Sequence, residues 1–188
     1  MFRVNSKVHG ESSIINALCP KFIAAKTETF FNATAGIRPV NTKQKLMLAK
    51  AAKDAGKNAY HPVTSTGTGA ALLTKEGNIY TGCNVQSVIS GLGCCAERCA
   101  IYNAVAHGAY NYKAIAVYFP TQKGAKPCGA CLQLISEFAQ VAKTDIRILM
   151  VNKEGRIVAE GTVNKMLPGA YGPRTSGKKL AAYRKDRD

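Results

Sequence analysis

The tightest constraint on this 188-residue chain is the spacing of its sulfur. Cys128 and Cys131 stand three apart just after Pro127, and Cys95 opens an earlier helix-forming stretch with Ala96, Glu97 and Arg98. Two cysteines three apart at a helix start project from one face and can grip one ion, and Cys95 from a neighbouring helix supplies a third ligand. Three protein ligands leave one tetrahedral position open, which is what separates a catalytic zinc site from a structural one. The competing reading of Cys128 and Cys131 is a redox pair or two buried thiols. Two helix N-termini aimed at the ion favour thiolate over thiol. Three thiolates and Zn²⁺ still sum to a net negative charge, which Arg98 offsets by hydrogen bonding to sulfur, unless it is an ordinary surface cation. Glu97, two residues from a ligand on a rigid element, is the candidate proton carrier; its plainer alternative is a helix-start acid.

Composition narrows the setting. The seven cysteines form an odd set with no secretory signal ahead of them, which argues against a disulfide framework. Reduced thiols fit an intracellular compartment, cytoplasmic or mitochondrial, the basic and hydroxyl-bearing first 30 residues faintly resembling an organellar transit peptide. Cys83, Cys94 and Cys99 read as small packing residues, and Cys19 has no assigned role. With 46% hydrophobic and 20% charged residues the chain can build one ordinary core, and no apolar run reaches the length of a bilayer crossing. The formal charge of +15 is uneven: residues 1–58 carry ten basic against three acidic side chains, and residues 171–188 carry six against two. Basic ends of this kind suit an anionic surface, nucleic acid or an acidic subunit, or simply solubility. RNA contact ranks below a solvated tail.

Along the chain, Thr42–Gly56 has strong helix formers with a Thr42 cap and a Gly56 stop. Gly69–Thr74 and Ile79–Val85 read as a hairpin, Cys95–His107 as a helix and Ile115–Phe119 as a buried strand. A helix begins at Pro127, followed by strands at Ile146–Val151 and Arg156–Gly161. The order predicts an α/β layered domain, a mixed sheet of about five strands covered by helices. Residues 1–40 form a basic N-terminal extension, 41–172 the zinc domain and 173–188 a basic C-terminal tail.

Cys95-Ala96-Glu97-Arg98, followed some thirty residues later by Pro127-Cys128-Gly129-Ala130-Cys131, resembles the cytidine deaminase family. The likeness includes Gly69-Ala70-Ala71-Leu72, Thr81-Gly82-Cys83-Asn84-Val85 and Leu167-Pro168-Gly169-Ala170-Tyr171, in the expected order. It implies the cytidine deaminase-like layered sandwich, with Zn²⁺ on Cys95, Cys128 and Cys131, Glu97 as catalytic proton shuttle and Arg98 tempering the thiolate charge. It further implies a nucleoside site that includes Asn84, the ribose-contacting asparagine, with Gln86, Ala96 and Tyr171, in a homo-oligomer whose sites are completed by neighbouring subunits. The implied reaction is hydrolytic deamination of cytidine, deoxycytidine or a related aminopyrimidine to the uracil analogue and ammonia. The chain departs from the pattern where Asn84-Val85-Gln86-Ser87 replaces Asn-Val-Glu-Asn, a neutral amide standing for a carboxylate. It departs again at Thr66, where an aromatic residue is common. These departures support a second expectation, a catalytically silent accessory subunit of a larger assembly.

Overall fold

The computed structural model describes residues 39–172 together with Ala182 and Tyr183. The expectations for residues 1–38 and for nearly all of the C-terminal tail therefore lie outside the described residues.

Helix α1 (Thr42–Gly56) is closed at its start by Asn41, not Thr42. The Asn41 side chain accepts from the Gln44 N–H at 2.8 Å and the Gln44 side chain accepts from the Asn41 N–H at 3.1 Å. This reciprocal pair satisfies two N–H groups that a helix start otherwise leaves open. Strands β1 (Gly69–Thr74) and β2 (Ile79–Cys83) form the expected hairpin, and α2 (Ala96–Ala106) follows a short 3-10 turn at Ser90–Leu92. Strand β3 (Tyr112–Tyr118), α3 (Gly129–Ala142), β4 (Arg147–Val151), β5 (Ile157–Thr162) and the four-residue helix α4 (Val163–Met166) complete the order.

The five strands form one mixed sheet in the order β2-β1-β3-β4-β5, with β3 and β4 parallel and the other neighbours antiparallel. Alternation along each strand sends successive side chains to opposite faces. Ala71 and Leu73 of β1, Ala114 and Ala116 of β3, and Leu149 and Val151 of β4 meet Leu48, Ala49 and Ala52 of α1. Ala70, Leu72, Ile115, Val117 and Ile148 pack on the other side against Ala100 and Ile101 of α2 and Leu132 and Ile135 of α3. Every residue of β1 is buried, as a central strand covered on both faces requires. Two glycines set the closeness of these layers. A side chain at Gly69 would overlap the main chain of Ala52 and Gly56, and one at Gly82 would overlap Ala100 and Ala96.

The topology explains why the reactive residues meet. Strands β2 and β3 are each antiparallel to β1, so they run in the same direction and their C-terminal ends lie at the same end of the sheet. The loop after β2 leads to Cys95 and the loop after β3 leads to Cys128, so both returning helices begin at that end.

Candidate metal centre and cleft

Cys95 is the cap of α2 and Cys128 the cap of α3, both in extended backbone, while Cys131 sits in the first turn of α3. Their three sulfur atoms lie within 4.8 Å of one another. A tetrahedral ion held at about 2.3 Å from each sulfur needs sulfurs about 3.8 Å apart, so the arrangement fits zinc. The donor chemistry agrees, since three soft thiols with no hard oxygen among them suit zinc over magnesium or calcium. Cys131 is buried and Cys128 exposed, which leaves the centre reachable from one side.

Electrostatics point the same way. Burial, then the neighbouring Glu97 carboxylate, push the Cys131 thiol well above its ordinary range, and the same causes raise Cys95. Cys128 goes down: burial opposes this, but the Cys131 main-chain N–H at the positive end of α3 and the adjoining thiols outweigh it. Acidic groups crowded this closely hold one another's protons until a cation displaces them.

Glu97 is 6% exposed, and burial pushes its carboxyl up despite its own main-chain N–H, the Cys131 thiol and the Arg98 charge. A carboxyl raised by burial takes up and gives back a proton near neutral pH more readily than a free one does. The adjacent Arg98 donates from Nη2 to the Gly93 carbonyl at 3.2 Å and to Cys95 Sγ at 3.9 Å. The bond to the Cys95 sulfur is the main cause that raises its guanidinium further above the ordinary range.

The centre opens into a cleft of about 440 Å³ whose lining includes Thr68, Asn84, Gln86, Glu97, Phe119 and Lys126. Asn84 and Gln86 reach the cleft but are already engaged. Asn84 Oδ1 accepts from the Thr68 N–H at 2.7 Å and its Nδ2 donates to the Thr66 carbonyl. Gln86 Oε1 accepts from the N–H groups of Val63 and Thr64, and Nε2 donates to Thr64 Oγ1 at 2.6 Å. With both lone pairs of its amide oxygen taken, Gln86 offers a substrate only one remaining N–H. Ala96 is fully buried, its side chain packed in the core and not in the cleft. Tyr171 is 64% exposed and its main chain pairs with the Gln133 side chain at 3.0 and 2.8 Å, so within one chain it does not line the cleft.

Phe119 and Lys126 were not singled out by spacing. Phe119 read as the end of a strand; its position just past β3, at the sheet end from which both helices return, is the signal that finds it. Cys83, Cys94 and Cys99, read as packing residues, are each half-buried, and Cys94 lines the cleft.

Residues 41–147 match the family model for the cytidine and deoxycytidylate deaminase zinc-binding region. The chain is similar to the cytidine deaminase of Sporosarcina psychrophila, 41% identical over 63% of this chain and 85% of that protein. It is also similar to a blasticidin-S deaminase of Bacillus cereus, 30% identical over 55% of this chain and 75% of the other. Among solved structures, a cytidine deaminase from Burkholderia pseudomallei superposes with a TM-score of 0.62 at 36% identity, covering 66% of this chain and 97% of that one.

Proposed function

The chain belongs to the cytidine and deoxycytidylate deaminase family, and on that premise we propose that it removes the 4-amino group of a cytidine-like nucleoside by hydrolysis, giving the uracil analogue and ammonia. The observation that carries this reading is the buried Glu97 carboxyl beside three sulfurs that lie within 4.8 Å of one another.

Cys95, Cys128 and Cys131 would hold the zinc ion. When bound there, it supplies the Lewis acidity that makes water nucleophilic at neutral pH. Glu97 takes a proton from the attacking water and gives it to ring N3 as the C4–O bond forms. It then takes the remaining proton from the oxygen now on C4 and passes it to the 4-amino group, which leaves as ammonia when the C4–N bond breaks and the C4 carbonyl forms. One water is consumed and no redox change occurs. Arg98 steadies the charge on Cys95, and Phe119 offers the base an aromatic face in place of the missing one at Thr66. Asn84 and Gln86 hold the loop of residues 63–68 that forms the cleft wall, each keeping one N–H for the sugar. That altered wall, and the likeness to a blasticidin-S deaminase, extend the reading to related aminopyrimidines.

The working form is a homo-oligomer. Val88, Ile89 and Leu92 are 90%, 62% and 69% exposed next to Ser90 and Gly93 of the cleft lining, an apolar rim that a second copy covers. The same rim serves the accessory-subunit reading if the covering partner is another protein. Zinc-loaded protein should lower the ultraviolet absorbance of cytidine, deoxycytidine or an aminopyrimidine analogue, and Glu97→Ala should abolish the change. No turnover across that panel, with wild type and Glu97→Ala alike, would leave the accessory reading. No described helix is long and apolar enough to cross a membrane.

A further inference from the structure

Three charged side chains line the cleft, and two of them are already committed. Glu97, the only carboxyl of the lining, is buried beside the sulfurs, and Arg98 is tied to Cys95 Sγ and to the Gly93 carbonyl. Three thiolates around a divalent cation leave one negative charge, which Arg98 balances, so a further cation on the wall is surplus. That cation is Lys126, exposed and without a hydrogen bond or ion pair to any described residue. The loop that carries it is held in place. The Lys153 N–H donates to the Thr121 carbonyl at 3.0 Å, Thr121 Oγ1 donates to the Gly124 carbonyl at 3.1 Å, and the buried Pro127 follows. Elsewhere on the wall the amide side chains offer mainly donors. Gln86 has both lone pairs of its oxygen taken and keeps one N–H, while Asn84 keeps one N–H and a single lone pair. A wall that offers hydrogens and an unspent positive charge, with no free carboxylate, matches a ligand group that only accepts and is itself negative.

We infer that Lys126 is a specificity residue that pairs with a phosphate on the sugar of the substrate, so that the chain takes a cytidine-like nucleoside monophosphate in preference to the bare nucleoside. The inference rests on the deaminase reading of the site and adds the charge of the substrate to it. A sugar hydroxyl needs an acceptor for its hydrogen, whereas the outer oxygens of a phosphate dianion only accept, which the N–H groups of Gln86, Asn84 and Lys126 satisfy. Lysine suits the task as a compact point charge on a flexible four-carbon stem, able to follow a phosphate on the 5′ or the 3′ oxygen. The phosphate takes no part in the bonds made and broken at C4. Its pairing is therefore equal in the ground state and the transition state, and it shows in KM and not in kcat. Because Lys126 is exposed, added salt screens the pairing.

Calorimetry on the full zinc-loaded chain tests this with ligands that do not react, uridine and its 5′- and 3′-monophosphates. At low salt at least one phosphate should bind on the order of 10-fold more tightly than uridine, and the difference should shrink as ionic strength rises. Lys126→Ala should remove the difference and Lys126→Arg should keep most of it. Steady-state kinetics on cytidine and its 5′- and 3′-monophosphates should show the same ratio in KM with matching kcat, and the phosphate that gains identifies the position Lys126 reaches. Uridine binding as tightly as both phosphates, or a preference that survives Lys126→Ala, would overturn the assignment. Phosphate-selective binding that depends on Lys126, with no turnover of any of the three cytidine compounds, would refute the deaminase reading and leave the Lys126 pairing standing. Turnover of cytidine with no preference for either phosphate would do the reverse.

Discussion

Arg98 Nη2 lies 3.9 Å from Cys95 Sγ while the same nitrogen bonds the Gly93 carbonyl at 3.2 Å, so a cation three residues after a metal ligand is tied to that ligand's sulfur and to the loop before it. The pairing orients the thiol and offsets the negative charge that three thiolates place around a divalent ion. Arg98→Ala should weaken zinc binding on the order of 10–100-fold, the usual cost of losing a group that supports a ligand. Competition with a coloured chelator checks this, and Arg98→Lys, a charge without the planar fork, should recover only part of the loss.

Glu97→Gln keeps the shape of the side chain and removes its ability to carry a proton. Turnover should fall by about 10²–10⁴-fold with zinc still bound one per chain. Steady-state kinetics and metal analysis on the same sample separate this from a folding defect.

Gly82 lets β2 touch α2. A methyl group there would overlap the Ala100 nitrogen and come within 2.7 Å of the Ala96 carbonyl, pushing away the helix start that carries Cys95 and Glu97. Gly82→Ala should cost about 1–3 kcal/mol in stability and also loosen zinc, whereas an equally destabilising change at the α1 face should leave zinc affinity alone. Denaturant titration paired with metal analysis checks both.

Gln86 divides the role of loop clamp from that of substrate contact. Gln86→Ala should free the Val63 and Thr64 N–H groups and raise KM several-fold with little change in melting temperature, because the lost bonds are exposed. Gln86→Glu can still accept both bonds while the Thr64 hydroxyl turns to donate, so the loop stays and only the charge facing the cleft changes. A KM for Gln86→Glu that matches Gln86→Ala would contradict the clamp.

Acid stability carries one specific signature. Asp54 sits between Lys50 and Lys57 at 2.7 Å from each, and their hydrogen bonds lower its carboxyl from 3.8 to about 2. A depressed acid favours the folded state above its unfolded pKa, and that contribution disappears as pH falls from 3.8 through about 2. Asp54→Asn should therefore lower the melting temperature slightly at pH 7 and not at all at the acid end, read by thermal denaturation across that range.

Much of this was legible in local sequence. Helix α1 follows Thr42–Gly56 residue for residue because its propensities and stop agree, and the pairing of Cys128 with Cys131 is legible in helix-start spacing, whereas Cys95 joins them through the family resemblance and the fold that brings the three sulfurs within 4.8 Å of one another. Its cap was misplaced by one because Asn41 outcompetes Thr42 once Gln44 returns the bond, a reciprocity that a single-residue preference does not express. Strand β2 stops at Cys83, short of Val85, because Val85 leaves the ladder to pair with Cys94. Strand β3 starts early, at Tyr112, which looks polar in sequence but is fully buried, its hydroxyl donating to the Ala109 carbonyl at 2.8 Å. The short helix α4 and the turn at Ser90–Leu92 carry too few residues for a periodic signal. The engagement of Asn84 and Gln86 by loop 63–68 joins positions 16 to 23 residues apart, and no local pattern encodes it.

X-ray absorption at the zinc edge of the purified chain addresses the central claim most directly. The arrangement of Cys95, Cys128 and Cys131 predicts a shell of three sulfurs at about 2.3 Å and one oxygen or nitrogen, falling to two sulfurs or to no zinc in Cys131→Ser. A four-sulfur shell, or one of oxygen and nitrogen only, would contradict an open three-cysteine site.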